Sequence, residues 1–335
     1  EIATSNLVHY LETAPAVNLA DVAYTLQVGR VGFNHRRAVV CADAAAGATA
    51  LATADPQQVL TQHQTRRERP FVFLFTGVGD HYEGMGRELY ETEPVFREWV
   101  DRCCELLTPQ LGQDLREVLY PATSEAAAGA GPDLRQMVGR QETEGRDQPL
   151  QQTALAQPVV FVVEYALAQL LLSWGIRPAA LIGYSLGEYV AACVSGVLSL
   201  ADALQLVAMR AQLIQALPAG AMLAVSLAES EVAPYLNGEV GVAAAVGPQT
   251  TVLSGPVPAV DKVAAQLDAA EVIYRPLATS HAFHSAMMAG IEAELTAAAA
   301  ALALQAPAIP VVSNVTGTWL TEAEATDPGY WARHA

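Results

Sequence analysis

The stretch LIGYSLGEYVAA, Leu181–Ala192, decides how the rest of the chain is read. A short apolar run enters a Gly-Tyr-Ser-Leu-Gly turn, and a helix of small residues leaves it. A sharp strand-to-helix turn lifts the hydroxyl of Ser185 above the sheet edge. Gly183 and Gly187 permit the tight bend and the close approach of the helix. The same pattern also fits an ordinary strand-to-helix turn with a surface serine, so the pentapeptide by itself does not choose.

With 335 residues, 52% hydrophobic and 16% charged, the chain has material for one large domain or two to three smaller ones around a substantial core. A net charge of -17 argues against nucleic acid and against anionic membrane surfaces as general partners. It also repels any other acidic protein at long range, so docking such a partner needs a local basic or apolar patch. The four cysteines, Cys41, Cys103, Cys104 and Cys193, form no Cys-x-x-Cys pair and read as reduced thiols of a cytoplasmic protein. No signal peptide is visible, and no apolar run reads as long enough to span a bilayer; the longest, Pro158–Leu172, contains Glu164 and Gln169. A start at Glu1 and an end in YWARHA lead us to expect a piece of a longer polypeptide.

Residues 1–67 form a separate block: a helix in LADVAYTLQVGR, a strand in HRRAVVCAD, an Ala-rich stretch that is helical or loose, and the linker-like TRRERP. It holds no concentrated chemistry. FVFLF (71–75) reads as a buried strand followed by the glycine-rich loop TGVGDHYEGMG, then a helix from Pro94. Residues 121–149 lack periodicity and read as a long surface insertion. LAQPVVFVVEYALAQLLLSWGI is an apolar helix, PAALIGY a strand, and SLADALQLVAMRAQLIQAL a helix with Ser199 as N-cap and Asp202 completing a capping box. Between Ala221 and Pro276 the order is strand AMLAVS, helix ESEVAPYL, a hairpin of VGVAAAV and TTVLSG, helix PAVDKVAAQLDAA and strand EVIYRPL. That order suggests a ferredoxin-like unit. HAFHS, a helix from Ala286 to Ala303 and the strand IPVVSNV follow. The expected fold is α/β: an α/β-hydrolase-like parallel-sheet core (68–217 and 277–335) with an inserted ferredoxin-like subdomain (218–276), preceded by a small α/β linker domain (1–67).

A reactive serine needs a base. Of His9, His35, His63, His81, His281, His284 and His334, His284 is best placed, because it follows the inserted unit in a short motif that enters a helix. His281 shares that turn. An oxyanion hole would take the N–H of Leu186, directly after the nucleophile, and of Val78 from the glycine-rich loop. That loop lacks the Lys-Ser/Thr end of a P-loop. Arg210 stands in an apolar helix and needs an anionic partner. Asp202 or Glu188 would make it a structural ion pair, whereas a substrate carboxylate would make it a clamp. Spacing alone leaves both open.

Together these residues resemble the acyltransferase domain of modular polyketide synthases, relatives of the malonyl-CoA–acyl carrier protein transacylases. DVAYTLQVGR with HRRAVV resembles the linker between a ketosynthase and its acyltransferase; FLFTGVGDHYEGMG, GYSLGE, HAFHS, SNVTG and YWARHA are similar to the family's motifs, in order. The resemblance implies a Ser185–His284 dyad and ping-pong transfer from acyl-CoA to the phosphopantetheine thiol of an acyl carrier protein. It implies Arg210 as the carboxylate clamp, the N–H groups of Val78 and Leu186 as oxyanion hole, and the backbone carbonyl at His334 as the group that orients His284. The ketosynthase domain of the same polypeptide is an implied partner, and no metal or redox cofactor is implied. HAFH and QTALAQ (152–157) resemble the malonyl-selecting forms, with Phe283 filling the space an α-methyl needs. One methylene supports only about 1–3 kcal/mol of discrimination. Val78 replaces the family's Gln and Tyr184 its His, and both changes bear on substrate choice. A substituted malonyl or an acetyl unit is the alternative substrate.

A serine hydrolase or thioesterase is a rival, with Asp261, Asp268 or Glu271 as the acid, but all three lie in the inserted unit and Arg210 then has no task. A non-catalytic scaffold is a second rival, disfavoured because Ser185, His284 and Arg210 are all retained.

Overall fold

The computed structural model describes residues 1–14, 17–65, 69–79, 81–121 and 149–335. The surface insertion expected at 121–149 lies, apart from its two end residues, outside the described residues. The described chain divides into two compact units, Glu1–Pro70 and Phe71–Ala335.

The first unit contains α1 (Ile2–Thr13), α2 (Leu19–Val28), β1 (His35–Val39), α3 (Ala44–Thr53) and β2 (Val59–His63). Asn18 and Asp43 cap α2 and α3 through their side-chain oxygens. β1 and β2 pair antiparallel, and Leu11, Ala48, Ala50, Leu51 and Val59 form a small core. β2 arises inside a stretch expected to be helical or loose. Its Val59 is buried in that core, and the ladder with β1 holds the polar residues that follow.

The second unit is mixed α/β. β3 (Phe71–Phe75), β4 (Pro178–Gly183) and β9 (Val311–Val312) form a parallel sheet in the order β3-β4-β9. The helices around it include α4 (Arg87–Thr92), α5 (Pro94–Leu111), α6 (Leu115–Leu119), α7 (Thr153–Ser173), α8 (Gly187–Val194) and α9 (Leu200–Gln215). Cys103 and Cys104 are buried in α5. The expected strand IPVVSNV shrinks to β9: the Asn314 side chain accepts the Ser185 N–H, and the Ser313 hydroxyl accepts the Thr316 N–H in the following loop. α7, 21 residues long, is long and apolar enough to cross a membrane, contrary to the sequence reading; it is mostly buried, as in the core helix of a folded domain.

A second sheet is antiparallel, ordered β6-β7-β5-β8, from β5 (Gly220–Val225), β6 (Gly241–Gly247), β7 (Thr250–Pro256) and β8 (Tyr274–Pro276), with α10 (Val257–Ala269) before the last strand. It has its own core of residues such as Leu223, Val225, Leu253, Val263 and Leu267. The helix expected in ESEVAPYL is instead two 3₁₀ turns, Glu229–Glu231 and Ala233–Tyr235. Pro234 removes a backbone donor there. The helix expected from Ala286 to Ala303 is a 3₁₀ segment, Ala286–Ile291, running into α11 (Glu292–Ala300). The chain ends through α12 (Glu322–Ala325) and α13 (Pro328–Arg333), where Trp331 is fully buried and its indole N–H donates to the Ala325 carbonyl at 3.0 Å.

The junction of β4 and α8 is packed backbone on backbone. A Cβ on Gly183 would lie 2.1 Å from the Glu188 nitrogen, and one on Gly187 2.5 Å from the Phe75 carbonyl oxygen. Neither neighbour is a side chain that can swing away. Gly187→Ala is therefore expected to lower unfolding stability by about 1–3 kcal/mol, read from urea denaturation; a midpoint equal to wild type would contradict this packing.

Candidate active site

Ser185 sits at the tip of the β4–α8 turn with φ of +50°. A non-glycine residue in the left-handed region costs about 1–2 kcal/mol, so the surroundings must hold it there. His284 also has a positive φ, +55°, in the turn that precedes the 3₁₀ segment. A hydrogen bond of 2.7 Å joins Ser185 Oγ to His284 Nε2 across 99 residues of chain. That is the spacing a nucleophile and its base require. Burial pushes the His284 imidazole down to about 3, with the positive charge of Arg210 and the nearby His334 acting in the same direction. The ring is neutral over the ordinary pH range and able to accept a proton.

The glycine-rich loop after β3 lies against the elbow. Tyr184 N–H donates to the Phe75 carbonyl at 2.9 Å, and a Cβ on Gly77 would lie 3.1 Å from the Tyr184 carbonyl and 3.4 Å from Ser185 Cβ. Val78 follows directly. Among the described residues no hydrogen bond takes up the N–H of Val78 or of Leu186. Thr76, at the start of this loop, donates both its N–H and its hydroxyl to Glu164 Oε1 from α7. Burial pushes that carboxyl up to about 7, against the lowering effect of the two Thr76 bonds.

Arg210 is buried on α9. It donates to Gln157 Oε1 and, at 3.5 Å, to the Ala335 carbonyl, and its guanidinium stands 5.5 Å over the Tyr189 ring. Its Nε has no partner, and no ion pair among the described residues involves it. The two carboxylates considered from sequence are engaged elsewhere. Asp202 accepts from the Ser199 hydroxyl at 2.7 Å, and Glu188, fully buried, accepts from Tyr330 and from the Asn314 N–H. Gln157, from the QTALAQ segment, is held in turn by a 2.7 Å bond to the Thr153 hydroxyl.

The remaining expected residues are placed unevenly. Phe283 is half-buried against the main core, and the His281 ring is buried with its centroid 6.4 Å from that of Phe283. His281 Nδ1 pairs with the Ser280 hydroxyl at 2.8 Å, and burial lowers its pKa. Tyr184 is exposed, and partial desolvation raises its phenol. His334 departs from expectation: among the described residues its backbone carbonyl makes no hydrogen bond to His284. Its buried ring approaches instead, 6.3 Å from the His284 ring and with Nε2 3.2 Å from Glu188 Oε2. His334 closes α13, and its side chain is buried. No group of three or more metal-ligating side chains occurs among the described residues.

Comparison with known proteins bears on the family. The family model described as acyl transferase domain matches residues 72–335, and one described as CurL-like, PKS C-terminal matches residues 1–51. The chain is 38% identical over 336 residues to the spectinabilin polyketide synthase system protein NorB of Streptomyces orinoci, covering 98% of this chain and 14% of that protein. It is 40% identical over 335 residues to mycoketide-CoA synthase of Mycobacterium tuberculosis, covering 98% of this chain and 7% of that one. The chain thus spans a small part of the curated relatives it matches. Among solved structures, the acyl transferase domain of ZmaA superposes with a TM-score of 0.85 at 38% identity, covering 99% of this chain and 73% of that one. The acyl transferase domain of SpnD, in complex with 2-(pent-4-yn-1-yl)malonyl, gives 0.84 at 36% identity over 99% of this chain and 74% of that one. The MCAT of Streptococcus pneumoniae gives 0.64 at 27% identity over 79% of this chain and 80% of that one.

The electrostatics of the histidine are directly testable. Imidazole signals followed by NMR should leave His284 neutral at pH 5 and titrating toward about 3. Arg210→Ala should move that titration upward by removing a neighbouring cation. A His284 titration near 6.5, unmoved by Arg210→Ala, would contradict the burial and the charge arrangement.

Proposed function

The chain belongs to the acyl transferase domain family and is similar to polyketide synthase acyltransferases; from that premise we propose that it loads a carboxylated extender unit, malonyl in the first instance, by way of a Ser185 acyl-enzyme. The observation that carries this reading is a buried Arg210 without an anionic partner among the described residues, in the same site as a serine bonded to a neutral histidine. A desolvated guanidinium lacking a carboxylate is costly. A carboxyacyl substrate supplies one.

His284 Nε2 takes the Ser185 proton as Oγ attacks the thioester carbonyl of acyl-CoA. The N–H groups of Leu186 and Val78 hold the developing oxyanion. Collapse breaks the C–S bond, and His284 returns the proton to the departing CoA sulfur. In the second half the carrier protein's phosphopantetheine thiol gives its proton to His284 and attacks the acyl ester. Ser185 Oγ leaves and recovers the proton, so two half-reactions alternate on one serine. Arg210 binds the distal carboxylate, with Gln157 holding the guanidinium in place. Docking that carboxylate also offsets the positive charge that depresses His284, which strengthens the base when the right substrate is bound. Acyl-CoA is donor, the acyl carrier protein is acceptor, and no metal or redox cofactor enters. His281, Phe283 and Tyr184 bear on the shape of the acyl pocket. The finer architecture in this reading is a hydrolase-like parallel core carrying a ferredoxin-like insertion at 218–276, behind a ketosynthase–acyltransferase linker at 1–67. The acyl carrier protein and the ketosynthase are its partners, in the cytoplasm.

Intact-mass spectrometry after brief incubation with equimolar malonyl-, methylmalonyl-, acetyl- and methoxymalonyl-CoA tests substrate choice. A malonyl adduct is expected to dominate, and Arg210→Ala is expected to cut it at least tenfold while sparing acetyl transfer. Dominance of acetyl in the wild type would overturn the clamp. A dominant substituted malonyl would overturn the malonyl assignment and point to Val78 and Tyr184. Free acid in place of acyl-carrier product would favour a hydrolase.

A further inference from the structure

Asn314 stands two residues after β9, where the expected strand breaks off, and the reaction as written gives it no task. Its carboxamide lies across the elbow. Oδ1 accepts the Ser185 N–H at 2.8 Å, and Nδ2 donates to the Gly183 carbonyl at 2.7 Å. One planar side chain thus bonds the backbone on both sides of Tyr184, at the turn where Ser185 is held at a φ of +50°. The orientation of the amide is fixed by its partners, since an N–H needs the oxygen and a carbonyl needs the nitrogen.

Asn314 is itself anchored. Its N–H donates to Glu188 Oε2 at 2.7 Å, and Glu188 also accepts from the Tyr330 hydroxyl, which bonds the Ser313 hydroxyl at 2.6 Å. Ser313 Oγ in turn accepts the N–H groups of Val315 and Thr316 at 3.2 and 3.1 Å, shaping the loop. Glu188 and Ser313 are fully buried, and Tyr330 nearly so, which keeps water from competing for these bonds.

We propose that Asn314 is a positioning residue that clamps the nucleophile elbow, fixing where Ser185 Oγ points and where the Leu186 N–H faces. This rests on the acyl-enzyme reading above. A strained turn relaxes once its cross-brace is removed, and a displacement of about 1 Å at a reacting atom costs about 100-fold in rate. The effect falls on the chemical step. The Arg210 carboxylate site is built from α7 and α9 and is left intact, so binding of malonyl-CoA is spared.

The test is the burst of CoA released from malonyl-CoA by the full chain, measured for wild type, Asn314→Ala, Asn314→Asp and Ser185→Ala. Asn314→Ala is expected to slow acylation about 10- to 100-fold with KM within threefold of wild type. Asn314→Asp keeps the shape and serves as the second variant. As a carboxylate it still accepts the Ser185 N–H but sets a negative oxygen against the Gly183 carbonyl. Protonated, it can donate there as Asn does. Its rate relative to Asn314→Ala, or to wild type where the alanine variant does not fold, should therefore rise as the pH falls from 8 to 5.5. Wild-type acylation in Asn314→Ala, a loss confined to KM, or an Asn314→Asp ratio flat with pH would overturn the clamp alone. A burst surviving Ser185→Ala would overturn the acyl-enzyme reading and the clamp with it.

Discussion

The 2.7 Å hydrogen bond between Ser185 Oγ and His284 Nε2 is the constraint on which the rest of the structure depends. Its partners lie on two turns with left-handed backbone conformations, one on each side of the four-stranded antiparallel sheet in the sequence. Neither turn is a low-energy conformation for the residue that occupies it. The parallel sheet fixes the first turn through β3, β4 and the close approach of α8. The second is fixed where the chain leaves the antiparallel sheet: Gly220 N–H bonds the Ser280 carbonyl, and a Cβ at Gly220 would lie 2.5 Å from the Ala282 nitrogen. The antiparallel sheet thus delivers the histidine against a defined backbone surface.

Buried polar groups decide how firmly that arrangement holds. Glu188 has several hydrogen-bond donors around it and ties α8 to the chain's final helices. Among the described residues Glu164 is bonded by Thr76 alone and its second oxygen has no partner, and burial pushes its carboxyl up to about 7. Arg210 lies at the other extreme: buried, held by a neutral amide and a carbonyl, and stacked over an aromatic ring. A core built for stability alone would give it a carboxylate or replace it. In the function proposed here, the substrate's own carboxylate completes this group.

The elbow was legible in the sequence because its glycines are required by backbone contacts that no other residue can make. His284 was legible because only one histidine-bearing motif follows the insertion and enters a helical turn. The contact of Arg210 with Gln157 was not: spacing left open an ion pair with Asp202 or Glu188 and a substrate carboxylate, and Gln157 lies 53 residues away on another helix. Asn314 and its buried support were likewise invisible, since their bonds to the elbow and to Glu188 span 126 to 131 residues and follow no periodicity. Short strands and 3₁₀ turns were misjudged where side-chain bonds or a proline displaced the ladder or the helix, as at Ser313–Asn314 and Pro234. The expected carbonyl contact of His334 rested on resemblance, and the inward placement of its ring beside Glu188 had no signal in the sequence.

The most direct measurement is the site and rate of acylation in the trapped intermediate, by quenching the chain within milliseconds of mixing with malonyl-CoA and mapping the adduct by tandem mass spectrometry. The account predicts malonate on the peptide containing Ser185, formed at least about 100-fold more slowly in His284→Ala. An adduct on any other residue, or an undiminished rate without His284, would contradict it.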